Sequence, residues 1–406
     1  MRKQLLSLLF TFILMIGCTA CGSKAAQVDS GATITIAARD GSHSNVINAV
    51  KSTFEQEHNC TINVIPLSAN EIHDNAIKDA ANQAGSYDII MIDDPLMPEY
   101  IEKNILCNLT KLGYTDDEDF VEKSRLLGKE PYPLGATYAV PFSGNVQLLF
   151  YNADVVDSSS DLTNWQSIYE ISEKLSSEGK KGYAIRGQTG NPVVSDFLPI
   201  LWSFGGDILV DNRVVLDSKE SREALEFYCK LYETGGNYEK DDLVEAVSSG
   251  EAAFALGWPS WFITNNGVSA EFSQIPGQKD ASSELLPTGE IGNWLLGVTN
   301  NSPNKELALE AVKYLTSKEV QLEALEEGGV PTRNSIFLDK DILKKYPFFQ
   351  AIYSGTNNSR VRPRTTKWAQ IEVVFGEQLV KCIDGEQSVD ETIIASQKAI
   401  QQLIDE

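Results

Sequence analysis

Histidine is scarce in this 406-residue chain, with three in all: His43, His58 and His73. None stands in HExxH or another zinc-binding spacing, so a zinc hydrolase site is not expected. His58 falls among charged residues at a helix end, where water is its expected partner. Past residue 30 the cysteines are Cys60, Cys107, Cys229 and Cys382, far apart and without a CxxC pair, which argues against a cysteine zinc site. Whether any of them join in disulfides the sequence leaves open. GxSxG, Walker A and GxGxxG are all missing. Positive charge is short as well: 34 Lys and Arg against 57 Asp and Glu give a net charge of −23. That balance argues against the basic face a nucleic-acid partner needs. In so acidic a chain, pairs such as Asp93/Asp94 and Asp241/Asp242 are ordinary, and only a weak sign of glycosidase chemistry. The chain is not expected to be an enzyme, and no cofactor or metal is expected.

Leu5 to Gly17 is an apolar run too short to span a bilayer comfortably. With Arg2 and Lys3 before it and small residues behind it, it reads as a secretory signal. "TACGS" resembles the bacterial lipobox, in which the cysteine is lipidated and becomes the first mature residue. Cys21 is the expected lipidation site and Cys18 the alternative. Residues 1–20 are then the signal and 21–31 a polar tether. Lipid chains would hold the protein at the outer face of the cell membrane.

The remaining chain is long enough for two domains. "TITIAA" alternates as a strand, and a loop from Asp40 to Asn45 leads into a helix. "CTINVIPL" is a second strand, "NEIHDNAIKDAANQAG" a second helix, and "YDIIMID" an almost wholly apolar third strand. This βαβ order is the grammar of an open α/β sheet, whose ligands sit beyond the carboxyl ends of its strands. That rule singles out Asp40, Ser42 and His43 in the first loop, and Asp93 after the third strand. "YAVPFSGNVQLLFYN" reads as two strands broken at Pro141 to Asn145, a place to cross between lobes. "SPNKELALEAVKYLTSKEVQLEALEEGG" reads as one long helix capped by Ser302, with Pro303 in its first turn.

Together these segments resemble the extracellular solute-binding proteins of bacterial ABC importers, in the carbohydrate group with the maltose- and trehalose-binding proteins. "YDIIMIDDPLMPEY", "YAVPFSGNVQLLFYNADVV", "VSSGEAAFALGWPSW", "GNWLLGVTNNSPNK", "GGVPTR" and "VRPRTTKWAQIE" occur in the family's order. The resemblance implies a two-lobed α/β fold of the type II periplasmic-binding-protein kind, with the ligand between the lobes and a hinge joining them. Lobe 1 is expected at 32–143 plus 299–345, and lobe 2 at 144–298 plus 346–406. It implies a monomer that hands a di- or oligosaccharide to permease subunits, with the ATPase on a separate chain. A sugar asks for aromatic faces and for planar polar groups at its hydroxyl rim. Trp258 matches the family's stacking tryptophan and Trp294 the second one, although Ile291 and Asn293 flank Gly292. Trp368 falls where the family has an aromatic, and Asp93 at its ligand-binding aspartate. Leu96 stands where relatives often carry tryptophan, and Asn145 where close relatives carry aspartate. Arg364 is the better arginine candidate, and Arg333 is either a second contact or a tie between segments. Trp261, Trp165 and Trp202 are expected to be scaffold. A polyamine is the alternative ligand, and a surface glycosidase the third reading.

Overall fold

A computed structural model describes residues 31–264, 267–278 and 289–406. The signal and both candidate lipidation sites, Cys18 and Cys21, lie outside the described residues. Among those described, no helix is long and apolar enough to cross a membrane.

The opening segment folds as its periodicity predicts. Strands β1 (Thr33–Arg39), β2 (Thr61–Leu67) and β3 (Ile89–Asp93) pair in parallel, with β1 in the middle. Helices α1 (Ser42–His58) and α2 (Ala69–Asn82) connect them. A capping box starts α2: Ser68 and Glu71 each satisfy the other's backbone N–H. Strand β4 (Ala139–Ser143) belongs to the same sheet, and there the chain leaves it.

A second sheet follows, built from β5 (Leu148–Tyr151), β6 (Lys181–Ile185), β7 (Gly236–Asn237), β8 (Ala252–Gly257) and β9 (Glu271–Ser273). Its strand order is β7-β6-β8-β5-β9. Its helices include α3 (Trp165–Ser177), α4 (Asn191–Ser203), α5 (Lys219–Gly235) and α6 (Lys240–Ser249), then the single turn α7 (Pro259–Phe262). The chain then returns: β10 (Trp294–Val298) inserts antiparallel between β3 and β4, so the first sheet reads β2-β1-β3-β10-β4. The second lobe was expected to run through residue 298. Pairing places Trp294–Val298 in the first sheet instead.

Behind β10 the expected long helix is two helices, α8 (Lys305–Leu315) and α9 (Lys318–Ala324). The Ser317 hydroxyl accepts from Val320 N at 3.3 Å and restarts the helix at a new cap. Ser302 is not the cap of α8. Its hydroxyl donates to Asp88 Oδ1 at 2.6 Å and accepts from Asn304 N at 2.9 Å, so the helix begins later. Apolar cores cover both faces of each sheet. Ile336 and Phe337 join the core beneath α6, with Val146 and Phe150. That stretch therefore packs on the second sheet, although first-lobe sequence was expected to extend to 345. Helices α10 (Phe349–Asn358), α11 (Trp368–Ile383) and α12 (Val389–Asp405) complete the second lobe.

Candidate functional site

Segments that cross between the sheets lie side by side. Gln147 N donates to Glu290 O at 2.8 Å, Gly292 N to Asn145 O at 3.1 Å, and Ile291 N to Arg360 O at 3.0 Å. Gly144 N donates to Val330 O at 3.0 Å, and a Cβ at 144 would sit 2.1 Å from Pro331 O. Only glycine fits that approach.

The Gly-Trp-Pro-Ser-Trp turn hangs on this crossing. Pro259 opens α7, where its fixed φ suits a first helical position. Asn145 is 2% exposed and spends both ends of its amide on Ser260: Nδ2 donates to Oγ at 2.9 Å, and Oδ1 accepts from Ser260 N at 3.2 Å. It holds the turn, a tie that the sequence reading did not anticipate. Trp258 stands half-buried just before α7, its ring so close to Gly292 that a Cβ there would fall 2.3 Å from Cζ3. Asn293 is buried and donates from Nδ2 to Asn145 O at 2.9 Å. Glycine makes room for the indole and asparagine fastens the crossing. Trp261 lies under the Arg186 guanidinium at 4.8 Å, partly buried against the core.

Trp294 pairs with Asp93 across β10 and β3, half-buried at the carboxyl end of β3. The ring of His43, in the first turn of α1, is 5.9 Å from it. Burial, aided by the Arg39 charge, pushes His43 down to about 3, so it is neutral at ordinary pH. Its Nε2 has no hydrogen-bond partner. His43, Ser42, Phe142, Ser143 and Ser260 line one small pocket together with Gly328 to Pro331. Asp40, more exposed, pairs with Arg39. The structure thus gathers Trp258, Trp294, Asp93, Ser42 and His43 near the crossing, while Asp40 is exposed.

Three expected residues are elsewhere. Trp368 is 1% exposed inside the second-lobe core, because α11 turns it inward against α4 and α5. Arg333 donates to Thr316 O at 2.9 Å and to Asp117 and Asp119 at 2.7 and 3.2 Å, stacked over Phe120; it ties segments together. Arg364 is clamped on Asp94 O at 3.1 Å, Leu127 O at 3.3 Å and Glu130 Oε2 at 3.0 Å.

The arginine at the crossing is Arg362, which sequence reasoning missed. It is 2% exposed and donates to both Asp93 oxygens and to Asp94 Oδ2 at 3.0 Å, with Nε 3.3 Å from Glu290 Oε1. Glu290 also accepts from Ser195 Oγ at 3.0 Å. The alternation in "RVRPR" puts all three arginines on one face of an extended chain, so it could not single out Arg362. Burial pushes Glu290 up to about 8 and, against the pull of Arg362, Asp94 up to about 6. Burial also pushes Asp196 up to about 7, where Tyr228 donates to it at 3.0 Å. Asp93 and Asp94 share one guanidinium, so they do not face each other across a gap as an acid and a base would. Among the described residues no group of three or more His, Cys, Asp or Glu is placed to hold a metal ion.

The model of the bacterial extracellular solute-binding protein family matches residues 40–322. A Deinococcus radiodurans protein named "Probable ABC transporter-binding protein" is 25% identical over 268 residues, 59% of this chain and 63% of its own length. A Sinorhizobium fredii protein named "Probable amino-acid ABC transporter periplasmic-binding protein y4oP" is 24% identical over 344 residues, 80% of this chain and 78% of its own. Maltose-bound MalE3 of T. maritima superposes with a TM-score of 0.81 at 24% identity, covering 92% of this chain and all of that one. A solute-binding protein of Agrobacterium radiobacter in complex with ribitol gives a TM-score of 0.82 at 20% identity, covering 92% and 98%. These likenesses establish the two-lobed type II fold.

Proposed function

The chain belongs to the bacterial extracellular solute-binding proteins, and we propose that it captures a di- or oligosaccharide between its lobes and delivers it to ABC permease subunits. The family and fold are those of transport-associated binding proteins, which are not enzymes. One observation carries the sugar reading: two half-buried indoles, Trp258 and Trp294, flank the crossing where Asp93 ends its strand. Indoles suit the C–H faces of a sugar ring, and a carboxylate accepts from adjacent hydroxyls. Neutral His43 and the serines around it add donors and acceptors without charge. The protein acts as a monomer at the outer face of the membrane, lipidated at Cys21 or, in the alternative, Cys18, and its ATPase is a separate subunit.

Isothermal calorimetry against neutral mono-, di- and oligosaccharides and sugar alcohols tests this. Micromolar or tighter binding of a di- or oligosaccharide is the expected result, and tightest binding of a sugar alcohol would move the ligand to that class. A second reading rests on Asp93 and Asp94, two carboxylates around one guanidinium. That excess suits a cationic solute such as a polyamine. Heat from spermidine, with none from any carbohydrate, would replace the sugar reading.

A further inference from the structure

Cys229 on α5 and Cys382 on α11 are 153 residues apart in sequence, yet their sulfurs lie 3.6 Å apart. Both are free thiols in this structure. We propose that they form a disulfide-bonding pair that ties α5 to α11 once the protein is outside the cytoplasm. Sulfurs this near need close only to about 2.05 Å to bond. The helices already share one apolar core, so the bond would lock a contact that folding makes first. Family membership places the chain in an extracytoplasmic setting, where such bonds persist.

The two thiols differ in a way that gives the reaction an order. Cys229 is partly exposed, while Cys382 is buried behind it. Contact with Cys382 and burial push the Cys229 thiol up, so it reacts in the fraction of pairs whose remaining proton sits on Cys382: its thiolate attacks an external disulfide, forms a mixed disulfide and expels one thiolate. Cys382 then attacks the Cys229 sulfur and expels the second. One S–S bond forms as the external one is reduced, and the two protons leave with the two released thiols. Contact with the Cys229 S–H pushes Cys382 down to about 7 in the reduced pair. Cys107 offers no such partner: its Sγ donates to Thr299 O at 3.2 Å.

The full chain, purified in detergent, is incubated with glutathione disulfide, then denatured, alkylated and mapped by peptide mass. The expected result is alkylated Cys60 and Cys107, and one crosslinked peptide pair holding Cys229 and Cys382, lighter by two hydrogens than its reduced parts. Alkylation at all four positions would overturn the proposal, as would a lasting glutathione adduct on Cys229 or a crosslink between another pair. Reduction is also expected to lower the melting temperature of the oxidised parent by several degrees and to leave Cys229→Ala unmoved. An equal response from both proteins would remove the tie.

Discussion

Trp258 can be deleted without dismantling the turn that carries it, because Asn145 still holds Ser260 from both ends of its amide. Trp258→Ala is expected to weaken ligand binding by roughly tenfold or more, about 1.4 kcal/mol, with a melting temperature near the parent's. Gly292→Ala tests the same contact from beneath, since the new methyl group collides with the indole. It should lose affinity similarly; unaltered binding in both variants would rule out stacking. Arg362→Ala behaves differently. It leaves Asp94 and Glu290 buried without their cation, and a loss of about 3–5 kcal/mol in unfolding free energy is expected by urea titration. Asp93 stands out in the sequence because it ends an apolar strand, and Trp258 because the resemblance matches it to the family's Trp-Pro. Arg362 does not, because "RVRPR" offers three arginines, and their facing is set by pairing to Gly289–Ile291 far away in sequence. Trp368 misled because a tryptophan opening a helix can turn into the core or the cleft, and only packing chooses.

At the level of elements, alternation and caps carried most of the reading. The opening βαβαβ order was visible because each strand is apolar and each helix has a stop. The break between α8 and α9 was hidden because Thr316 and Ser317 are tolerable on a helix surface. Their hydroxyls decide the matter: Thr316 Oγ1 donates back to Val312 O at 2.8 Å, and Ser317 accepts from Val320 N. Ser317→Ala should cost about 1 kcal/mol of stability, measured by urea unfolding. A cost near zero would mean that packing alone sets the break. The return of β10 to the first sheet was equally hidden, because a strand's own residues do not say which edges it will join.

Across the whole molecule, buried acids make stability depend on pH. Glu290, Asp196 and Asp94 titrate in the folded protein at about 8, 7 and 6, raised first by burial in each case. Unfolded carboxyls titrate near 4, so over the interval between, the folded state binds more protons. The stability this confers is complete below about pH 4 and is lost as pH rises through each folded value. The melting temperature should therefore fall by several degrees between about pH 5.5 and pH 8.5, and Glu290→Gln should flatten the slope. An unchanged slope in that variant would remove Glu290 from the account. The place of β10 bears on how the protein is made. It lies between β3 and β4, yet it is synthesised after the entire second sheet. A chain emerging N-terminus first through an export channel has no strand to put between them until residue 298 has emerged. The first lobe must wait with a gap in its centre, and completing it is a late, long-range event. The same threading that puts Trp294 beside Asp93 keeps the candidate site unformed until most of the chain has emerged.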